Sequence, residues 1–130
     1  MTAEDPAGGP PTLPSGTEPV RTASGLEYFE FAPGTGASVK RGTRVRVSYR
    51  AWLTDGTLFE STATRGGALE FVLGDGEVLA ALDEGVLGMR VGAKRRLLVP
   101  SDLAYGPRGR VGSVPPFATL IFDVELLGAG

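Results

Sequence analysis

The stretch from Ala104 to Leu126, AYGPRGRVGSVPPFATLIFDVEL, holds the residues of this chain best suited to binding chemistry. Tyr105 stands beside Gly106 at the head of a loop punctuated by glycine and proline, and the chain leaves that loop through Val114-Pro115-Pro116. Leu120, Phe122, Val124 and Leu126 then recur at period two, so they share one face of a strand. A long loop between two strands of a small domain is functional or disordered, and aromatic flanks argue for function. The expectation is the rim of an apolar site. The chain has no cysteine and no histidine. Thiolate nucleophiles, disulfides and cysteine-ligated metals are excluded, and the commonest general base and metal ligand are gone. Any reaction carried out here must need neither.

Strands must position these residues. From Arg44 to Leu53 the chain alternates: Val45, Val47, Tyr49, Ala51 and Leu53 on one face, Arg44, Arg46, Ser48, Arg50 and Trp52 on the other. Asp55-Gly56 predicts a type I′ turn, with the return strand starting at Thr57-Leu58-Phe59. Further strands are expected at 25–31, 69–73, 94–99 and 119–127. One short amphipathic helix is credible. Asp75 would cap it, Gly85 would end it in the left-handed conformation, and Val78, Leu79 and Leu82 would share its buried face. The fold class is α+β: a twisted antiparallel sheet of about five strands wrapped around one helix.

A chain of 130 residues with 42% apolar and 22% charged residues is one ordinary globular domain. Its net charge of −2 gives no field that would recruit nucleic acid or an acidic membrane. Residues 1–22 read as a flexible tail, because residues 1–20 hold five of the ten prolines and no aromatic residue. Residues 23–130 read as the folded domain. No basic-then-apolar leader and no run of about eighteen apolar residues is present, so the expectation is a cytoplasmic protein without a membrane span.

The segment from Ala104 to Leu126 resembles the carboxyl-terminal half of the FKBP-type peptidyl-prolyl cis–trans isomerases. So do Val47-Ser48-Tyr49, Leu53-Thr54-Asp55-Gly56-Thr57-Leu58-Phe59, Phe71-Val72-Leu73-Gly74, Glu77-Val78-Leu79 and Gly88-Met89-Arg90-Val91-Gly92, in the family's order from about Gly25 to Leu126. The resemblance implies an isomerase of X–Pro bonds that assists protein folding. Its partners would be Pro-containing segments of unfolded or folding chains, and its inhibitors rapamycin-type macrolides. No cofactor or metal is implied. The rotation it would accelerate faces a barrier of about 18–20 kcal/mol and makes or breaks no covalent bond. That suits a chain without histidine or cysteine.

By resemblance, Tyr49, Phe59 and Phe122 form aromatic walls, with Leu69 in place of another. Val78, Leu79 and Leu82 form the floor. Tyr105 reaches its hydroxyl towards a substrate carbonyl, the N–H of Val114 binds a second, and Glu60 offers a carboxylate at the rim. Glu60 stands where the family usually has aspartate, and Leu82 where it has tryptophan. Arg65 is placed to hold Glu60 by an ion pair. From composition alone, Tyr49, Phe59, Phe71 and Phe122 are core residues and Glu60 a solvated charge. The alternative reading is a non-catalytic or weakly catalytic chaperone module using the same pocket. Nucleic-acid binding through Arg44, Arg46, Arg50 and the group Lys94, Arg95, Arg96, Arg108 and Arg110 is opposed by Glu27, Glu30, Glu70, Asp123 and Glu125 on neighbouring strands. A monomer is expected.

Overall fold

The computed structural model describes residues 10, 12–13, 16–63 and 66–130. Along them run β1 (Pro19–Arg21), β2 (Glu27–Ala32), β3 (Arg44–Leu53), β4 (Leu58–Ser61), β5 (Leu69–Val72), α1 (Ala80–Gly85), β6 (Lys94–Val99) and β7 (Leu120–Ala129). The strands form one antiparallel sheet in the order β1-β2-β6-β7-β3, and the far edge of β3 takes both β4 and β5. Among the described residues there are seven strands rather than about five. The expected tail boundary also moves, because Pro19–Arg21 pairs with Phe29 to Glu27. The rest of the expected tail lies partly outside the described residues.

β3 follows its alternation closely. Val45, Val47, Tyr49 and Ala51 are buried on the inner face, where they meet Val124, Leu126 and Phe122 of β7 and the buried residues Ala81, Leu82 and Val86 around α1. The hairpin that follows differs from expectation. Gly56 N–H donates to Leu53 C=O (3.0 Å) and Leu53 N–H to Thr57 C=O (2.9 Å), while Gly56 has φ +94° and Asp55 is not left-handed. This is a type I turn closed by a glycine bulge, a common three-residue hairpin loop that Asp-Gly serves equally well. The Thr57 N–H and hydroxyl hold the Asp55 carboxyl below its ordinary range.

The helix is also shorter than expected. It starts at Ala80, with Leu79 as its N-cap and no side-chain cap. Asp75 does not cap it, because the chain turns through Gly74 and Gly76 first. Asp83 accepts both of their N–H groups, each at 3.0 Å, so the helix holds its own approach segment. Val78 and Leu79 therefore precede the helix, packed against the core from that segment. Gly85 is inside α1, not a left-handed terminator. Its lack of a side chain serves packing: a Cβ there would lie 2.5 Å from Leu97 Cδ1, and Leu97 is fully buried. Gly85→Ala gains under about 1 kcal/mol of helix propensity at a helix end, against about 1–3 kcal/mol of overpacking. The expected net result is a destabilisation of about 1–2 kcal/mol, read as a lower urea midpoint at unchanged slope.

Several residues of the basic clusters are paired. Arg96 grips Asp123 with two bonds of 2.6 and 2.8 Å, Arg44 pairs with Glu70 and Arg21 with Glu27. Arg95 is buried, donates to the carbonyls of Gly85 (3.1 Å) and Leu87 (2.8 Å), pairs with Glu30 and lies over the Tyr28 ring. It locks the end of α1 to the sheet. Trp52 is buried beneath Arg50 and offers no face on which a base can stack.

Candidate functional site

On the inner face, Tyr49 of β3 pairs in register with Val124 of β7, and Ala51 with Phe122. Tyr49 and Phe122 are thus diagonal neighbours on one face, and the methyl of Ala51 leaves room for the Phe122 ring. Their ring centroids are 5.6 Å apart. Phe59 joins them edge-on, 6.5 Å from Phe122, and meets Tyr105 edge-on at 6.4 Å. Edge-to-face contacts at these distances suit the aromatic quadrupoles. Four rings from two strands, a hairpin and a distant loop make one continuous cluster.

The hairpin contributes two consecutive side chains to it, which a regular strand cannot do. Trp52 pairs with Leu58 and Ala51 with Glu60, so Phe59 is the extra residue of a β-bulge. The bulge lets both Phe59 and Glu60 reach the same side. The Glu60 carboxylate accepts a short hydrogen bond from the Tyr49 hydroxyl. Its other oxygen accepts from Arg110 Nη1 at 2.5 Å, and the same nitrogen stands 3.4 Å from the Tyr105 hydroxyl oxygen. Glu60, and after it Tyr105, raise the Arg110 pKa further above its already high ordinary value. That guanidinium stays charged at any pH the fold survives.

The loop that carries Tyr105 and Arg110 is built rather than slack. Two 3-10 turns, Ser101–Leu103 and Gly106–Arg108, lead into a miniature hairpin. There Arg110 and Val114 exchange both N–H···O=C bonds, each 2.8 Å. Gly109 feeds this hairpin at φ +65°, and a Cβ on it would lie 2.3 Å from the Val114 carbonyl oxygen. Backbone cannot yield as a side chain can. Gly109→Ala is expected to cost about 1–3 kcal/mol of local strain and to displace Arg110 and Tyr105. Isomerase activity would then fall while far-UV dichroism of the sheet persists at 25 °C.

Residues 36–127 match the family described as FKBP-type peptidyl-prolyl cis-trans isomerase. The chain belongs to that family. It is 44% identical over 103 residues to an FK506-binding protein of Neisseria meningitidis serogroup B, covering 79% of this chain and 94% of the relative. It is 44% identical over 104 residues to the peptidyl-prolyl cis-trans isomerase Fkbp12 of Drosophila melanogaster, covering 79% and 96%. The N-terminal domain of FKBP42 from Arabidopsis thaliana superposes with a TM-score of 0.83 at 30% identity, covering 93% and 97%. The activity of this FKBP-type chain is peptidyl-prolyl cis–trans isomerisation.

Most residues singled out from the sequence of this isomerase converge. Tyr49, Phe59, Tyr105 and Phe122 form the ring cluster, Leu82 and Val114 are buried in the adjoining core, and Leu69, Val78 and Leu79 pack against it half-buried. One expectation changes. The Val114 N–H is donated to the Arg110 carbonyl inside the loop, so Val114 contributes its side chain and not a free donor. Glu60 is held by Arg110 and Tyr49, while Arg65 lies outside the described residues. Two features went unnoticed in the sequence. Arg110 was read only as surface charge. The Leu79 N–H, just before α1, has no acceptor among the described residues. Unsatisfied N–H groups at a helix start are the usual signal for such a donor.

Two cavities lie outside the centre of the cluster. One of about 340 Å³ shares Tyr49 with it and is otherwise walled by Leu13, Phe31, Val124 and charged side chains of β3, β6 and β7, including Arg96 and Asp123. The other, about 400 Å³, lies between Leu53–Asp55 and Pro115–Thr119. Neither is lined by Phe59, Leu82, Tyr105 or Phe122. Neither brings several aromatic rings together as the cluster does, so the ring cluster is the better site for X–Pro chemistry.

Proposed function

We propose that the Tyr49–Phe59–Tyr105–Phe122 cluster holds a proline ring and the residue before it while the X–Pro bond turns. The observation that carries this reading is the continuous chain of four rings, joined by one tilted and two edge-to-face contacts and backed by Leu82, Val78 and Leu79. A planar amide is charge-separated, with partial negative charge on oxygen and partial positive on nitrogen. Twisting removes much of that separation. Apolar walls therefore disfavour the planar state more than the twisted one.

The same argument decides where hydrogen bonds belong. A donor placed on the rotating carbonyl would stabilise the planar state, whose oxygen is the more negative, and slow the turn. The Tyr105 hydroxyl and the free Leu79 N–H therefore serve flanking carbonyls, which keep their charge throughout. They bind and orient the chain. The walls lower the barrier. About 4 kcal/mol off the barrier suffices for a thousandfold acceleration.

The substrates we assign are Pro-containing segments of unfolded or folding chains with a large apolar residue before proline. FK506- and rapamycin-type macrolides would compete for the same rings, as the name of the meningococcal relative suggests. Leu82 offers no flat ring for the macrolide's piperidine-like group, so that competition is expected to be weaker than in relatives with tryptophan there. The test is cis-to-trans relaxation of a Leu-Pro tetrapeptide with and without protein, repeated with FK506. Acceleration that the macrolide removes, and that Phe59→Ala impairs, supports the site. Acceleration indifferent to both would place the chemistry elsewhere.

A further inference from the structure

We infer that Arg110 is a positioning residue for the Tyr105 hydroxyl, acting through a clasp with Glu60; this rests on the reading of the ring cluster as the substrate site. Three observations carry it. Arg110 Nη1 is shared between Glu60 Oε1 at 2.5 Å and the Tyr105 hydroxyl oxygen at 3.4 Å. Its guanidinium lies 5.8 Å from the centre of the Tyr105 ring. The carboxylate it grips is bonded on its other side to Tyr49, whose ring packs on Phe122. One cation thus ties β3, β4 and the loop around the mouth of the cluster.

The chemical consequence concerns the phenol. A hydroxyl has one hydrogen to donate and two lone pairs to accept with. An N–H directed at the Tyr105 oxygen occupies a lone pair and leaves the O–H free to point into the cluster. A positive charge near the oxygen also makes the O–H a stronger donor. At 3.4 Å the contact is long, so orientation and field matter more than bond strength. The Glu60 clasp matters because an unheld arginine side chain samples many rotamers, most of them far from Tyr105. Glutamate, one methylene longer than aspartate, reaches the loop and tyrosine together.

A flanking carbonyl is bound alike in planar and twisted states, so losing this donor acts on KM and not on kcat. The experiment uses the full chain and a Leu-Pro tetrapeptide, with Arg110→Ala, Arg110→Lys, Tyr105→Phe and the Arg110→Ala/Tyr105→Phe double variant. Arg110→Ala is expected to raise KM about three- to tenfold, the range of one hydrogen bond, with kcat within about twofold. Arg110→Lys keeps the charge and a donor, and recovers part of the loss. In the Tyr105→Phe background, Arg110→Ala should change KM by less than about twofold, because the group it acts through is gone. Equal effects in the two backgrounds would make Arg110 a structural residue of the loop and overturn the inference. So would an unchanged KM in Arg110→Ala. A Tyr105→Phe variant that binds peptide normally beside an impaired Arg110→Ala would also overturn it, leaving the ring cluster as the site. Loss of the Phe59→Ala effect would instead count against the cluster itself.

Discussion

Replacing Phe59 with alanine is expected to lower kcat/KM for Leu-Pro substrates by about ten- to hundredfold while leaving the domain folded. Phe59 is the ring that joins Tyr105 to Phe122, and it is half-buried on a β-bulge at the edge of the sheet. Burying a phenylalanine side chain is worth about 1.5–3 kcal/mol. On the substrate side, that contact is made more fully as the proline ring settles among the walls. At about 1.4 kcal/mol per factor of ten, the loss corresponds to the stated range. On the stability side, the two edge contacts contribute about 0.5–1.5 kcal/mol each, and water can enter the vacated edge. The expected stability cost is therefore about 1–3 kcal/mol. Steady-state isomerase kinetics beside a urea titration separate the two. A variant as active as the parent would mean that the ring is packing alone.

That separation depends on the bulge, which no periodicity of the sequence displays. β3 was legible to the residue, because it alternates between an apolar and a largely charged face and a slip by one would invert both. Phe59 and Glu60 are adjacent, and simple alternation would send them to opposite faces. Only the register, with Ala51 opposite Glu60 and Trp52 opposite Leu58, reveals that both serve one side. β1 was missed for a related reason: all three of its residues are exposed, so an edge strand of Pro-Val-Arg leaves no burial pattern to read. The helix start was misjudged because aspartate before a short apolar run resembles an N-cap. The turn through Gly74 and Gly76 delays the helix, and Asp83 does the fastening from inside it.

The site shows the same division. The rings were legible as a set because the family's motifs occur in order, and Tyr49 and Phe122 sit on strands with clear patterns. The clasp was not. Glu60 and Arg110 are 50 positions apart, too far for any local spacing to pair them. Contacts across that separation are made by topology: β4 lies on the far edge of β3 while the loop arrives ahead of β7 on its near edge. Val114 is the converse case. Its N–H is an available donor in the sequence, and the miniature hairpin consumes it. An isolated motif does not show how a loop meets its own hydrogen-bonding needs.

Phe122→Ala is the variant expected to cost the most stability, about 3–5 kcal/mol. Phe122 is 1% exposed, on a strand flanked by β3 and β6, with Tyr49 and Phe59 against its ring. No solvent-filled edge is at hand, and two strands pinned by their ladders cannot collapse into the space. A small domain holds about 5–15 kcal/mol in total, so this one change removes about a fifth or more of it. Here activity and stability fall together, in contrast to Phe59, because one ring is both core and wall. Phe122→Leu distinguishes the roles. Leucine keeps most of the buried volume and should cost only about 1–2 kcal/mol, yet it presents no flat face to a proline ring. That variant should stay folded through the assay temperature and still lose activity by several-fold. Urea titrations of both variants with a common slope, alongside kinetics of Phe122→Leu, give the readout. A loss under about 1 kcal/mol for Phe122→Ala would contradict its place in the core, and full activity in Phe122→Leu would remove it from the wall.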